Sequence, residues 1–312
     1  MDTVLSVNKL VKKYDNFVAV NGISFSIAKG EVLGLLGANG AGKTTTIQML
    51  LGITEQTSGA IAYFGKDFAK NRQSSLQKIN FTTAYGSLQG RISVHENLKV
   101  FGGLYGAKNL DKKIKELAQQ LEISDVLHQT YWSLSSGQKT RVNLAKSLIN
   151  DPQLVLMDEP TASLDPDIAD KVLDIIIKLR KEKGVSMLFT SHNMDEVTRI
   201  CDRVMFLERG NIIAMDTPLG LTKNISKSVM TLTFDASQQE ISAYLKKESG
   251  IKFTFPRQQV VRIEMPEELI PKVLFGFSKQ KIWITDIDIK KPDLEDVFLE
   301  VARKGKHVFR KN

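Results

Sequence analysis

The sequence predicts an α/β protein built on a mainly parallel sheet, followed by a smaller α+β domain. After Pro152, short apolar strands alternate with amphipathic helices, and such alternation places helices on both faces of a parallel sheet. From residue 229 the predicted order changes to β-α-β-β-α-β, which is the ferredoxin-like order. We therefore expect one domain over residues 1–222 and an accessory domain over residues 223–312.

Each element is predicted from the spacing of apolar residues and from the turn residues that bound it. Antiparallel N-terminal strands come first, and residues 85–150 change to helices that indicate an insert into the sheet domain. In the first domain the predicted strands are 3–11, 17–27, 31–37, 60–64, 154–158, 185–191, 203–209 and 211–216, and the predicted helices are 44–53, 94–106, 110–123, 137–149, 166–184 and 195–201. In the second domain the predicted strands are 229–235, a hairpin over 251–265 that turns near 256–258, and 282–289, and the predicted helices are 237–249, 267–281 with Pro271 in its first turn, and 293–304.

Length and composition agree with two folded domains. The chain has 312 residues, of which 42% are hydrophobic and 25% charged, as in ordinary soluble globular proteins. No uncharged apolar stretch reaches the roughly 18 residues of a membrane span, and the N-terminus predicts no signal peptide. If the protein moves anything across a bilayer, another chain must form the path. The single cysteine, Cys201, cannot form an internal disulfide, which fits a reducing cytosolic compartment.

The net charge of +8 is unevenly distributed. From Lys223 onward 17 basic residues stand against 12 acidic ones, and the last twelve residues hold five bases and no acid. Such a basic tail either contacts acidic lipid headgroups or nucleic acid, or remains a solvated, frayed terminus.

A phosphate-binding loop is the strongest motif in the chain. Residues 37–44, GANGAGKT, fit G-x-x-x-x-G-K-[ST] and lie between a predicted strand and a predicted helix. The glycines let consecutive backbone N–H groups converge on phosphate oxygens, and the helix adds its free N–H groups and positive dipole end. Lys43 is expected to neutralise the β- and γ-oxygens of a triphosphate, and the Thr44 hydroxyl is expected to ligate Mg²⁺. The predicted nucleotide-binding residues of this loop are Gly37, Asn39, Gly40, Ala41, Gly42, Lys43, Thr44 and Thr45.

Two carboxylates end the predicted strand over residues 154–158. In a parallel sheet the carboxyl end of such a strand lies beside the phosphate loop. Asp158 is expected to hold Mg²⁺, which prefers few carboxylates plus phosphate oxygens. Glu159 is expected to polarise the attacking water, since phosphoryl transfer asks the protein for positioning and charge stabilisation.

A further motif gives the chain its resemblance to a known family. Residues 134–138, LSSGQ, open a predicted helix and resemble the LSGGQ signature of ABC-transporter ATPases. The phosphate loop, the carboxylate strand, residues 163–165 and residues 190–192 follow the family's order and spacing, and the resemblance covers about residues 3–222. It implies a P-loop ABC cassette that binds ATP and Mg²⁺ and hydrolyses ATP. A kinase, GTPase or helicase would share the loop but not the signature.

The resemblance also assigns roles to single residues. It implies a homodimer in which the signature of one subunit faces the γ-phosphate held by the other, through Ser135, Ser136, Gly137 and Gln138. His192 resembles the switch histidine that contacts the γ-phosphate and the attacking water, so that the implied catalytic set is Lys43, Glu159 and His192. Asp165 resembles the residue that couples the two sites, although Leu-Asp-Pro alone is also typical of a helix N-cap. Tyr14 resembles the aromatic residue that stacks on adenine, although a plain surface tyrosine remains the alternative.

The chain departs from the family at two positions. Ala84 stands where the family has a glutamine, and alanine can neither ligate Mg²⁺ nor hydrogen-bond a water. Gln89 comes five residues too late for that role unless the loop bulges. Ser136 replaces a glycine of the signature, and a helix N-terminus tolerates serine, so we expect little loss there.

The C-terminal end narrows the resemblance. Residues 292–299, PDLEDVFL, resemble the ending of export ATPases that pair with type-2 permeases, the drug, lipid and polysaccharide exporters. An amphipathic helix that packs Leu294, Val297, Phe298 and Val301 explains the same residues. The implied partner is an integral membrane permease, with peripheral contact at the cytoplasmic face of the membrane and no nucleic acid. The alternatives are an import ATPase of the same class, an ABC ATPase that acts on ribosomes or DNA, and a weakly hydrolytic regulatory subunit. The LEDVFL ending and the C-terminal β-α-β-β-α-β order favour export over import.

Overall fold

The computed structural model describes residues 2–83, 86–162, 164–223, 228–249 and 251–304. The chain divides into two compact units, Met1–Pro218 and Leu219–Asn312. The division lies four residues before the boundary expected from the sequence, at the start of a short helix, Pro218–Lys223, that the sequence analysis did not predict. The basic tail beyond residue 304 lies outside the described residues.

The first unit contains ten strands and seven α-helices among its described residues. In chain order they are β1 (Thr3–Tyr14), β2 (Phe17–Ala28), β3 (Val32–Leu36), α1 (Lys43–Leu50), β4 (Ser58–Tyr63), β5 (Lys66–Asp67), α2 (Arg72–Leu76), β6 (Ile79–Thr83), α3 (Val94–Leu104), α4 (Leu110–Gln120), α5 (Ser136–Leu148), β7 (Leu154–Asp158), α6 (Pro166–Lys183), β8 (Ser186–Thr190), α7 (Met194–Ile200), β9 (Arg203–Glu208) and β10 (Asn211–Asp216).

The strands of this unit form two sheets. The antiparallel N-terminal sheet has the order β2-β1-β4-β5, and the six-stranded core sheet has the order β10-β9-β3-β8-β7-β6. In the core sheet β9, β3, β8, β7 and β6 are parallel, and only β10 is antiparallel to its neighbour. Every residue of β3 and β8 is buried, as expected for parallel strands covered on both faces.

The predicted elements are present, and four further ones were missed in this unit and at its end. These are β5, α2, β6 and the helix Pro218–Lys223. Strand β6 has the sequence INFTT, in which apolar and polar residues alternate over only four positions, a run at the lower limit of a recognisable strand signal. It is held by parallel pairing with β7, from Ile79 opposite Leu154 to Thr83 opposite Asp158, so its strand conformation depends on a distant segment.

The helices α3, α4 and α5 form the predicted helical insert. Capping boxes begin α3 at Ser93 and α5 at Ser135, and each satisfies two backbone N–H groups that a helix start leaves free. Helix α4 is amphipathic and buries Ile114, Leu117 and Ala118. Helix α6 ends at Gly184, whose φ of 62° is the left-handed conformation that glycine adopts without strain.

The second unit has the predicted β-α-β-β-α-β order. After α8 (Pro218–Lys223) its elements are β11 (Ser228–Asp235), α9 (Gln238–Leu245), β12 (Lys252–Arg257), β13 (Val260–Met265), α10 (Ile270–Lys279), β14 (Trp283–Lys290) and α11 (Leu294–Lys304). The sheet is antiparallel in the order β12-β13-β11-β14. Its core includes Phe234, Ile241, Val273 and Phe277.

Two details of this unit follow from proline chemistry. Pro271 lies in the first turn of α10, as predicted, because a proline there removes no helical hydrogen bond. The hairpin turns at residues 258–259 rather than at 256–258, since β12 continues through Pro256 to Arg257. Strand β12 lies at the sheet edge, where a missing N–H is tolerated.

Leu294 and Val297 of α11 are buried, as an amphipathic helix requires, whereas the side chain of Val301 lies outside the described residues.

Within the described parts of the chain, no helix combines the length and apolar character needed to cross a bilayer.

Candidate functional site

The phosphate loop follows β3 and ends at the first turn of α1. Gly42 is the N-cap of α1 with a φ of 107°, a conformation that favours glycine. A Cβ at this position would lie 2.5 Å from the carbonyl oxygen of Ala19, so a side chain would also clash with β2. The first turn of α1 contains no acidic residue, and its free N–H groups therefore point into the loop without an internal anion. The loop has the geometry of an anion site.

Lys43 is folded over the loop. Its Nζ donates hydrogen bonds to the carbonyl oxygens of Gly37 at 2.5 Å and Ala38 at 3.4 Å. Burial lowers the pKa of Lys43, and the carboxylates of Glu159 and Asp158 act in the opposite direction. The ammonium is thus held at the loop by weak neutral acceptors, which a phosphate group could replace with a charge-assisted hydrogen bond.

Asp158 ends β7 beside this loop and is oriented by the neighbouring strand. The Thr190 hydroxyl at the end of β8 donates to Asp158 Oδ1 at 2.8 Å. Asp158 and Thr190 are direct partners in the β7–β8 pairing, so the strand register itself brings them together. Thr190 was not selected from the sequence as a residue that positions Asp158, because a threonine at a strand end carries no signal of its partner.

Glu159 and His192 lie in contact. His192 Nε2 is 2.6 Å from Glu159 Oε1, with the side chains 53% and 20% exposed respectively. The Glu159 backbone has a φ of 52°, and its N–H donates to the Thr190 hydroxyl at 2.9 Å and to the Thr190 carbonyl at 3.1 Å. The ends of β7 and β8 therefore bring together a carboxylate and an imidazole that are separated by 33 residues in the sequence.

A cleft of about 370 Å³ joins the loop and the carboxylates. Besides the loop residues Ala38 to Thr45, it is lined by Asp158 and Glu159, as the sequence predicted for them. Phe17, Ala19 and Thr83 also line it, and none of the three was predicted from the sequence. Phe17 is an aromatic residue at a hairpin and is 61% exposed, a signal that could have been used. Thr83 was missed together with its strand β6.

Tyr14 lies at the end of β1, directly opposite Phe17 in the β1–β2 pairing. It is 44% exposed, and Lys12 Nζ lies 4.8 Å from its ring centroid. Tyr14 is not one of the residues that line the cleft, whereas Phe17 is. Adenine stacking on Tyr14 therefore stays a prediction, and Phe17 is a second aromatic residue in the same hairpin.

The signature residues begin α5 and do not line the cleft. Ser135 is the N-cap: its Oγ accepts from the Gln138 N–H at 3.3 Å, and its own N–H donates to Gln138 Oε1 at 2.9 Å. Ser135 and Ser136 are exposed, whereas Gly137 is buried and a Cβ there would lie 2.6 Å from Ile168 Cγ2. The serine end of α5 is thus accessible from outside the chain.

Asp165 is the N-cap of α6 but does not cap it with its side chain. The residue is exposed, so the carboxylate is directed to solvent rather than to the first turn of the helix. The interpretation of Asp165 as a helix N-cap therefore explains where its backbone lies, but it does not explain the position of its carboxylate. Its coupling role stays a prediction, and the neighbouring residue Ser163 lies outside the described residues.

Comparisons with known proteins agree with this site. The family description "ABC transporter" matches residues 20–162. The chain is 29% identical over 306 residues to the linearmycin resistance ATP-binding protein LnrL of Bacillus subtilis (strain 168), covering 96% of this chain and 98% of that protein. It is 32% identical over 301 residues to the Nod factor export ATP-binding protein I of Rhizobium sp. (strain N33), covering 93% of this chain and 94% of that protein. The chain belongs to the ATP-binding proteins of ABC transporters.

A solved structure extends the similarity to the fold. The ABC cassette superposes on cbiO1 from Clostridium perfringens, part of the ABC transporter complex cbiONQ, with a TM-score of 0.66 and 29% identity. The superposition covers 72% of this chain and 92% of that one, which agrees with an α/β P-loop cassette plus a further unit. The predicted family and cassette fold are confirmed, and as a member of this family the chain binds ATP and is an ATPase.

The cleft of this ABC ATPase has donors suited to Mg²⁺. Thr44 and Asp158 both line it, and only Oδ1 of Asp158 accepts a hydrogen bond from the described residues. No group of three or more His, Cys, Asp or Glu side chains suited to a metal occurs in the part of the chain that the structure describes. A hydroxyl and one carboxylate fit an ion that takes its remaining ligands from phosphate oxygens and water.

Ala84, which stands at the position of the family's glutamine, lies outside the described residues. Gln89 is exposed, and its backbone is bound to Asn97, with Gln89 N–H donating to Asn97 Oδ1 at 2.9 Å and Asn97 Nδ2 donating to the Gln89 carbonyl at 2.9 Å. Gln89 does not line the cleft.

Proposed function

We propose that this ABC ATPase is the ATP-hydrolysing subunit of an exporter and drives a separate membrane permease. The observation that carries the hydrolytic part is the contact of 2.6 Å between His192 and Glu159, of which Glu159 lines the cleft of the phosphate loop and His192 lines a second cleft that Glu159 shares. A carboxylate in contact with an imidazole beside a phosphate-binding loop can orient a water molecule toward a γ-phosphate.

Each residue has a part in the proposed reaction. The loop N–H groups and Lys43 bind the triphosphate, and Lys43 exchanges its carbonyl acceptors for phosphate oxygens. Glu159 accepts a proton from the attacking water, while His192 holds the carboxylate and the γ-phosphate in a common orientation. The water oxygen bonds to the γ-phosphorus, and the bond to the β,γ-bridging oxygen breaks to leave ADP and phosphate.

Thr44 and Asp158 would hold Mg²⁺, and the Thr190 hydroxyl fixes the orientation of the Asp158 carboxylate. The ion, when bound, supplies charge neutralisation for the phosphate oxygens. The protein's own contribution is to hold one hydroxyl and one carboxylate at the same edge of the core sheet.

A homodimer completes the proposed site. The exposed serine end of α5 does not line the cleft of its own chain, and its free N–H groups are suited to an anion held by a second copy. Ser135, Ser136, Gly137 and Gln138 would then contact the γ-phosphate bound by the partner, and Asp165 would couple the two sites. Tyr14 would stack on the adenine.

Export is supported by two features outside the site. One relative that matches the chain over nearly its whole length is named a Nod factor export protein, and another a linearmycin resistance protein. The second feature is the PDLEDVFL ending over residues 292–299, with its accessory β-α-β-β-α-β unit. We place the protein at the cytoplasmic face of the cell membrane, held there by an integral permease of the drug, lipid and polysaccharide exporter class.

The hydrolytic role is tested by the substitution Glu159→Gln. The variant retains the size of the side chain but cannot accept a proton, so we expect ATP binding to persist and turnover to fall by about 10²-fold or more. Turnover is measured by phosphate release, ATP binding by equilibrium titration, and the dimer by light scattering, where ATP should stabilise it. Glu182→Gln, on the exposed face of α6, is the matched control. Normal phosphate release by the Glu159 variant would remove this residue from the mechanism.

The exporter role is tested separately in cells that encode the chain together with its native operon. Replacing Glu159 by Gln in the chromosomal copy should raise the retention of a fluorescent amphiphile, because the permease loses its energy source. Retention equal to that of the parent strain, with ATP hydrolysis abolished, would separate the enzyme from export.

A further inference from the structure

A buried carboxylate lies beneath the contact between Glu159 and His192. Glu196 is in the first turn of α7 and is only 7% exposed. Its Oε2 accepts two hydrogen bonds, from the Thr161 hydroxyl at 2.7 Å and from the Ser191 hydroxyl at 2.6 Å. Both hydroxyl residues are themselves buried, so a single oxygen atom bridges two segments away from solvent.

The two hydroxyls belong to the two segments that carry the proposed catalytic side chains. Thr161 comes two residues after Glu159, in a turn where the Ala162 N–H donates to the Glu159 carbonyl at 3.1 Å. Ser191 directly precedes His192. Glu196 thus joins the segment after β7 to the segment after β8. The second cleft, of about 450 Å³, is lined by Glu159, Thr161, Ser191, His192 and Glu196 together.

The contact between Glu159 and His192 needs such support. The His192 side chain is 53% exposed, and an exposed pair of this kind is held weakly because solvent screens it and both side chains are free to rotate. Buried hydrogen bonds hold a geometry better, since an unpaired hydroxyl or carboxylate in a buried place costs the full desolvation free energy.

The Ser191 hydroxyl is fully engaged. It donates to Glu196, and it accepts from the Asn193 N–H at 3.0 Å. The Asn193 side chain in turn caps α7 by accepting from the Asp195 and Glu196 N–H groups at 3.0 and 3.4 Å. The start of α7, the residue before His192 and the turn after Glu159 therefore form one connected hydrogen-bond network.

We propose that Glu196 is a positioning residue for ATP hydrolysis. Through Thr161 and Ser191 it holds the segments that carry Glu159 and His192 at the spacing that orients the attacking water. This role rests on the proposed function of Glu159 and His192. Neither Thr161, Ser191 nor Glu196 lines the cleft of the phosphate loop, so the network should affect turnover and leave ATP binding unchanged.

The test removes each hydroxyl without altering the carboxylate. Thr161→Val and Ser191→Ala delete one donor each, whereas Thr161→Ser and Ser191→Thr keep it. We expect kcat to fall about tenfold in the two deletion variants, equivalent to about 1.4 kcal/mol of transition-state stabilisation, and to stay near the parent value in the two conservative variants. KM for ATP should change by less than about twofold in all four.

The double variant Thr161→Val with Ser191→Ala provides a second measurement. Because both donors act on the same oxygen, the two losses in kcat should not multiply. Thr198→Val is the matched control. Thr198 lies in α7 like Glu196, but its hydroxyl donates at 2.8 Å to the Met194 carbonyl and not to Glu196. Thermal unfolding of every variant reports whether the fold is retained.

The outcomes separate this role from its alternatives. Deletion variants that keep the parent kcat, or whose loss is not prevented by Thr161→Ser and Ser191→Thr, would overturn the positioning role. A fall in kcat that follows the unfolded fraction, or that Thr198→Val shares, would do the same. If Glu159→Gln leaves turnover intact, the proposed function itself fails. If Glu159→Gln abolishes turnover while the hydroxyl deletions do not lower it, only the inference about Glu196 fails.

Discussion

At the residue scale, Glu159 combines an unfavourable backbone conformation with a side chain that we propose to be catalytic. Its φ of 52° is left-handed, which for a residue with a Cβ costs roughly 1–2 kcal/mol. The two hydrogen bonds from its N–H to Thr190 oppose this cost. The turn leaves the carboxylate in contact with His192 and in the lining of the cleft. Strain at such a position agrees with a catalytic role.

The hairpin between β1 and β2 offers two aromatic residues to an adenine. We expect Tyr14→Ala to weaken ATP binding roughly tenfold, because stacking of a base on an aromatic ring contributes about 1–3 kcal/mol. Phe17→Ala is the matched variant from the other strand of the hairpin, and we expect a smaller effect from it. Equilibrium titration with ATP and with tripolyphosphate checks this, since only ATP carries the base. The opposite ranking of the two variants would assign the adenine to Phe17, the residue that lines the cleft.

At the scale of elements, three helices begin with a capping box, in which a serine is paired with a Glu or Gln three residues later; Ser237 with Glu240 begins α9. Ser93 with Glu96 begins α3, and Ser135 with Gln138 begins α5. The hydrogen bonds from Ser93 lower the pKa of the Glu96 carboxyl, so its contribution to the cap is present above the carboxyl's unfolded-state pKa. That contribution is lost as the pH falls through the lowered, folded-state pKa.

The caps of α3 and α5 form a matched pair for an experiment. Ser93→Ala and Ser135→Ala should each lower the free energy of unfolding by about 1 kcal/mol, since each removes an N-cap. Only Ser135→Ala should also lower ATP turnover, because this helix start is proposed to meet the nucleotide of the second copy. Chemical denaturation and phosphate release measured on the same samples distinguish the two effects. Equal turnover in the two variants would leave Ser135 with a capping role alone.

At the scale of the whole molecule, each unit has its own hydrophobic core. Phe189 is fully buried in β8 of the first unit, and Phe234 is buried in β11 of the second. The nucleotide cleft is lined by residues of the first unit only. ATP binding should therefore directly stabilise the core of the first unit.

Phe234→Ala should destabilise the second unit by about 3–5 kcal/mol, since it removes a buried ring and leaves a cavity. ATP binding and basal hydrolysis should persist, whereas the matched variant Phe189→Ala should weaken both. Differential scanning calorimetry with and without ATP checks this, because only the transition of the first unit should rise with ligand. A single transition that both variants lower equally would show that the two units unfold together.

The sequence by itself determined the phosphate loop, the signature and the order of nearly all elements. These features depend on neighbouring residues: glycine at a left-handed position, a capping serine three residues before its partner, and apolar residues at a regular spacing. The sequence alone therefore predicts that the loop residues, Asp158 and Glu159 lie together.

Tertiary structure alone decided which residues support the site. Strand β6 with Thr83, the hydroxyl of Thr190 on Asp158, and the bridge from Glu196 to Thr161 and Ser191 join segments that local periodicity does not relate. A hydroxyl or carboxylate has no sequence signal for its partner when that partner lies on another strand or helix. Its role follows from strand register and helix packing, which are properties of the folded sheet.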